Sequence, residues 1–200
     1  MEVLSEDGRT YTVDLFKASG KNTKRLWDTF RKFSHLFCDQ TAGDYSAFVR
    51  WLLDPSTIVV TVDDVGILYA TELIPGLDAM VHYFFWDRQV EGRHRVILRV
   101  LQWGFETFGL HRINIEVPRH AYTALHRIHR MGLRFEGVRR EGQLYKGKWH
   151  DILLFGVLQD EITERALEAG RFDRTEHERG WFGFLNRDAQ LMQFVSGGGQ

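Results

Sequence analysis

Trp86-Asp87-Arg88-Gln89-Val90-Glu91-Gly92-Arg93-His94-Arg95-Val96-Ile97 is the stretch on which the reading of this chain turns. Before it, Ala79–Trp86 alternates like a strand. After it, Ile97, Val100, Leu101, Gly104, Phe105 and Phe108 recur at the spacing of one buried helix face. Gly109 ends that helix and Arg112–Val117 reads as another strand. A strand that passes through a glycine turn straight into a helix aims several free backbone N–H groups at one point, where the helix dipole adds to them. That point favours an anion, and Arg88, Arg93, Arg95 and Arg99 surround it. The ligand class implied is a pyrophosphate-bearing cofactor.

Upstream, Tyr11–Phe16 reads as a strand. Lys21–Phe37 reads as a helix with Leu26, Phe30, Phe33 and Phe37 on one face and Asn22 as its N-cap. Tyr45–Leu53 is a second helix, stopped before Pro55. Thr57–Val62, Gly66–Leu73 and Ala79–Trp86 form an antiparallel meander that turns at Asp63-Asp64 and Pro75-Gly76. Downstream, Ala121–Met131 is a helix with Ala121, Leu125 and Ile128 facing inward and Gly132 closing it. Arg134–Gln143 and Trp149–Leu158 make a last hairpin around Lys146-Gly147.

The pattern divides the chain into a domain over residues 1–160 and an extension over 161–200. The extension starts with a short helix, Glu161–Ala169, and carries an apolar segment, Trp181–Val195, before a glycine-rich end. So many large apolar groups do not stay solvated. The segment at 181–195 is expected to fold back on the domain or to dock on a second copy or another protein.

The formal net charge is −1, which gives no bulk attraction to nucleic acid or to anionic membranes. Hydrophobic residues make up 44% of the chain, enough for a substantial core. The single cysteine, Cys38, excludes an intrachain disulfide and reads as a small half-buried apolar residue. No signal-peptide pattern or membrane-spanning apolar run is present, so the expectation is a cytoplasmic protein with no membrane partner. His120, His126 and His129 lack a further ligand in the sequence. With Arg119, Arg127 and Arg130 they read as a basic face, open to solvent or to a polyanion, and no metal site is expected.

Two passages carry a resemblance: Phe105–Ile113, at the end of the long helix and the entry to the next strand, and Gly132–Arg140 followed by Gly147–Phe155. Over residues 10–160 the order β-α-α-β-β-β-α-β-α-β-β resembles the GNAT (Gcn5-related N-acetyltransferase) superfamily, with the RimJ/RimL-type branch the most similar. The resemblance implies an α/β (α+β) fold: a mixed central sheet of about seven strands, splayed between the fourth and fifth, with flanking helices. It implies acetyl-CoA as acyl donor and direct attack by an amine of a protein or small molecule. Gln89, Glu91, Gly92, Arg93, His94 and Arg95 would cradle the pyrophosphate. Phe85 and Trp86 would line the pantetheine arm, with Tyr122 covering it.

The thioester would then sit near His82, Tyr83 and Glu116. Glu72 is the first general-base candidate, with His82 and Glu116 as the others. Trp149 is expected to pack and Asp151 to accept a backbone hydrogen bond. The sequence departs from the branch at four places: His94 where the turn ends in a small residue, Ala121 and Ala124 in place of Asn and Ser, and Ile128 in place of a Tyr. The alternative reading is therefore a non-catalytic GNAT-fold module that serves as a structural or docking component of a larger assembly. Nucleic-acid binding through the 119–130 helix ranks last.

Overall fold

The computed structural model describes residues 1–5, 8–33, 43–87 and 93–163; of Tyr122, His129 and Arg130 it describes the backbone. The turn residues Arg88–Gly92, Cys38 and the extension from residue 164 lie outside the described residues, and so do the readings made for them. Eight strands form one sheet in the order β1-β2-β3-β4-β5-β6-β8-β7. They are β1 (Glu2–Leu4), β2 (Thr10–Leu15), β3 (Ile58–Val62), β4 (Gly66–Ile74), β5 (Asp78–Phe85), β6 (Arg112–Pro118), β7 (Arg134–Tyr145) and β8 (Lys148–Leu158). Four helices join them: α1 (Gly20–Phe30), α2 (Tyr45–Leu52), α3 (Arg93–Phe108) and α4 (Tyr122–Met131). The expected fold is present, with one strand more than the sequence suggested. β1 pairs with β2, and the Met1 ammonium group donates to the Val13 carbonyl at 2.9 Å.

Helix α1 starts earlier and ends sooner than its apolar spacing indicated. Ser19 is the N-cap, accepting from the Asn22 N–H at 3.2 Å, while the Asn22 side chain donates to the Lys17 carbonyl. The helix stops at Phe30, and Phe33, past its end, packs edge-on against Phe84 at 4.9 Å. Trp149 is 58% exposed, so its expected packing role is wrong; the end of the long β7–β8 hairpin projects past the core. Asp151 does accept a backbone N–H, from Glu141 at 2.9 Å, and also pairs with Arg119 at 3.1 Å.

Alternation along the strands sorts their side chains to two faces. On one face, Ile113, Ile115 and Val117 of β6 and Ala79, Val81 and Phe85 of β5 join Val96, Ile97, Leu101 and Phe105 of α3. Leu125, Ile128 and Met131 of α4 complete that core. On the other face, α1 and α2 cover β3–β5 with a smaller cluster: Leu26, Trp27, Phe30, Phe48 and Leu52 over Val59 and Ile67.

Candidate functional site

The feature that makes a site is the gap between β5 and β6. These two strands run parallel, and they pair only through Asp78–Arg112, Ala79–Ile113 and Met80–Asn114. Beyond those three positions they part. β5 stays paired to β4 as far as Phe85–Gly66, and β6 stays paired to β8 as far as Pro118–Ile152. Val81–Phe85 and Ile115–Pro118 therefore present backbone edges that no strand of the described residues pairs. At about 3.3 Å per residue, the open edge of β5 runs roughly 16 Å. The closed end is held by a polar chain. Asn114 donates to Asp78 at 3.4 Å and accepts from Arg112 Nε at 2.6 Å, and Arg112 also pairs with Glu136.

The open end of β5 is tied down. The Trp86 N–H donates to the Val65 carbonyl at 3.0 Å and its indole N–H to the Asp64 carbonyl, so the strand leaves the sheet in a fixed direction. Helix α3 begins at Arg93, six residues after Asp87, whose own N–H donates to the Val65 carbonyl. Arg93, His94 and Arg95 fill its first turn, and the Arg93 guanidinium lies 5.8 Å above the Phe85 ring. Burial first, and the nearby Arg127 guanidinium second, hold the Arg93 pKa below its usual value.

Of the three base candidates, the structure brings two to the cleft. His82 and Glu116 each lie two positions past the last paired residues, Met80 and Asn114, and so face the same side of the sheet from opposite arms. Burial lowers the His82 pKa to about 4, so the imidazole is neutral at neutral pH. Its ring stacks on Tyr69 at 4.8 Å, and Tyr69 meets Trp51 of α2 edge-on at 4.9 Å. The Tyr69 hydroxyl is pushed up to about 12 by burial. Glu116 is 18% exposed and pairs with Arg139 of β7. Glu72 is elsewhere. It is exposed, at φ 54° in a β-bulge between Thr71 and Ile74, beside the paired end of β5.

Sequence reasoning missed the Glu116–Arg139 pair, because Arg139 sits in a run of charges that reads as an ordinary exposed strand face. It also passed over Tyr69, which the β4–β5 register sets opposite His82, and Trp51, whose approach to Tyr69 depends on how α2 crosses the sheet. Ala121 and Ala124 pack against the core beneath α4, and Ile128 is fully buried in it.

No family model matches the chain, and no curated protein matches it in sequence. Solved structures do match. A variant of the spermidine N-acetyltransferase SpeG from Vibrio cholerae superposes with a TM-score of 0.61 at 16% identity, over 78% of this chain and 99% of that one. The chain carries the GNAT fold. The SpeG structure in complex with CoA and spermine gives a TM-score of 0.61 at 18% identity, covering 75% of this chain and 97% of its own. A probable acetyltransferase gives 0.59 at 18% identity, over 74% and 94% of the two chains. Among the described residues, no helix is long and apolar enough to cross a membrane.

Proposed function

We propose that this chain is an N-acetyltransferase of the RimJ/RimL-type branch that moves an acetyl group from acetyl-CoA to an amine of a protein or small molecule by direct attack. The observation that carries the reading is the parted β5–β6 pair, whose open backbone edge ends at the N-terminus of α3. The edge suits an amide-bearing arm, and the helix start suits the diphosphate. Gln89, Glu91 and Gly92 would complete the phosphate turn with Arg93–Arg95; Phe85 and Trp86 would flank the arm, and Tyr122 would cover it. A solved structure of this fold holds CoA together with spermine, which supports the same use of the cleft here.

The acceptor amine would enter from the α1/α2 side, onto which His82 and Glu116 both project from opposite arms of the gap. Neutral His82 would accept the proton as the amine attacks the thioester carbonyl. Glu116, paired with Arg139, would hold the incoming amine. Backbone N–H groups on the open edge would stabilise the oxyanion, and the coenzyme would leave as its thiolate when the C–S bond breaks, taking the proton from His82 to become the thiol. Glu72, at the closed end, would serve only through a water relay.

The test is the melting temperature of the full chain with and without millimolar acetyl-CoA, with desulfo-CoA and ATP alongside. A ligand at about a hundred times its dissociation constant adds roughly 2.7 kcal/mol, a readily seen shift. A shift specific to the coenzyme supports the reading and opens an amine screen. No shift supports the second reading, a non-catalytic module, which the bulky His94 in the first turn of α3 favours.

A further inference from the structure

The α3 side of the sheet is close-packed toward the open end of the cleft, but not at the closed end. There a gap of about 40 Å³ lies between the last turns of α3 and the meander. Its walls are apolar and include Ile58, Ala70, Leu73, Trp103, Gly104 and Phe108. All six residues are half-buried, so the gap opens to solvent. Gly104 is its clearest sign. A Cβ there would meet no atom of the described residues within 4 Å. Glycine is a poor helix former, so α3 gives up stability at a position from which a side chain would fill the gap. Apolar walls offer water no hydrogen-bond partner, and the favoured filling is an apolar side chain from elsewhere.

The gap has an apolar rim. Ile74 and Leu77, 51% and 52% exposed, flank the β4–β5 turn. That turn is fastened to the end of α3, where the Gly76 N–H donates to the Phe108 carbonyl at 2.9 Å. Large apolar groups exposed together beside an apolar opening mark a docking surface.

Strand β8 delivers the chain to the same corner. Leu158 pairs with Arg112, and the Gln159 N–H donates to the His111 carbonyl at 3.1 Å. The His111 N–H in turn donates to the Leu77 carbonyl at 2.9 Å, and Ile162 packs against the α3-side core. Residues 164–200 continue from there. Their sequence sets the charged stretch Arg171–Arg179 before an apolar segment that carries Trp181, Phe182, Phe184, Leu191, Met192 and Phe194. Fully extended, the link at 164–180 spans roughly 55 Å, far more than a path to a rim two hydrogen bonds away requires.

We infer that the segment at 181–195 docks on its own domain here, seating one large apolar side chain in the gap beside Gly104 and laying others over Ile74 and Leu77. A tether of this length holds the segment at an effective concentration of about millimolar order, above what a second copy supplies in dilute solution. Docking braces α3 against the β4–β5 turn, at the end of the cleft away from the parted arms. It does not depend on the transferase reading.

The experiment is hydrogen exchange of the full chain, read by mass spectrometry over a range of protein concentrations, for the wild type, Gly104→Met and Leu77→Asp. In the wild type, amides within 181–195 should exchange at least about tenfold more slowly than in the isolated peptide, at every concentration. Gly104→Met fills the gap from α3 and should return 181–195 to the free-peptide rate, while α3 and β3–β5 keep their protection. Leu77→Asp places a charge on the exposed rim and should have the same effect, which keeps the test decisive if Gly104→Met disturbs α3.

Free-peptide rates in the wild type overturn the inference. So does protection that both variants leave intact, since the segment then docks elsewhere. Protection that appears only at high concentration, together with a dimer in size-exclusion chromatography, overturns it as well, because the occupant is then the segment of a second copy.

Discussion

The two faces of β5 differ in what covers them, and the difference divides stability from chemistry. Toward α3 and α4, Val81 and Phe85 enter an aliphatic core in which Val96, Ile97, Leu98 and Ile128 have no exposed surface. Toward α1 and α2, His82 and Phe84 meet a wall of rings, Phe30, Phe33, Trp51 and Tyr69, several of them half-exposed. Close-packed aliphatic groups leave no room for a substrate. Tilted rings and a neutral imidazole leave surface that an acceptor can use. Each face nevertheless keeps one polar group in the strand, His82 on one and Tyr83 on the other, next to the unpaired edge.

The strongest test of this division removes one large group from each side. Phe105→Ala should cost about 3–5 kcal/mol, because the ring is fully buried between α3 and the sheet. Trp51→Ala should cost well under half as much in urea denaturation while lowering acceptor turnover. Equal costs would break the comparison.

Acid gives the next largest effect. Folding holds His82 at a pKa of about 4 against 6.5 in the unfolded chain, so the unfolded state binds the extra proton between those values. Stability is therefore complete above pH 6.5 and falls as the pH drops toward 4, by up to about 3 kcal/mol from this group. His82→Gln should flatten that part of the stability profile. An unaltered slope would remove His82 as its cause.

Gly66→Ala probes how tightly β4 backs the open arm. A Cβ there would lie 2.5 Å from the Phe85 ring and 2.9 Å from the Phe84 carbonyl oxygen. A loss of about 1–3 kcal/mol is expected, with weakened coenzyme binding as Phe85 and the Arg93 above it shift. Full stability in thermal melts would mean that the strand end yields freely. The smallest effect belongs to Glu72→Gln, which should change stability by less than about 0.5 kcal/mol at an exposed site. Turnover should fall more for Glu116→Gln than for Glu72→Gln, and the reverse would move the chemistry to the closed end.

Periodicity made the meander, α3 and the last hairpin legible, since each buries one regular face. It was silent on β1, where three residues offer a single buried position, Val3. It overran α1, because Phe33 continues the helical spacing after the backbone has stopped being helical at Phe30. The cap was misread for a related reason: Ser19 and Asn22 are both capping residues, and only the backbone direction decides between them. Within the site, alternation along β5 and β6 was enough to pair His82 with Glu116, once Met80 and Asn114 were known to lie side by side. That register is a long-range fact, and so are the Glu116–Arg139 pair and the approach of Arg127 to Arg93. Local pattern carries no trace of them.

The short junction between β5 and β6 has a mechanical meaning. Three residue pairs, with the Asp78–Asn114–Arg112–Glu136 chain beside them, act as the spine of a book whose leaves are β1–β5 and β6–β8. Gly156 belongs to that spine, for a Cβ there would strike Arg112 at 2.5 Å and Glu136 at 2.6 Å. The free arm beyond it is roughly 16 Å long, so a tilt of a few degrees at the spine moves the tips by about 1 Å. Misplacing reacting groups by that distance can slow a transfer about a hundredfold. Residues that touch neither coenzyme nor amine thus act as the adjusting screw for the distance between His82 and Glu116.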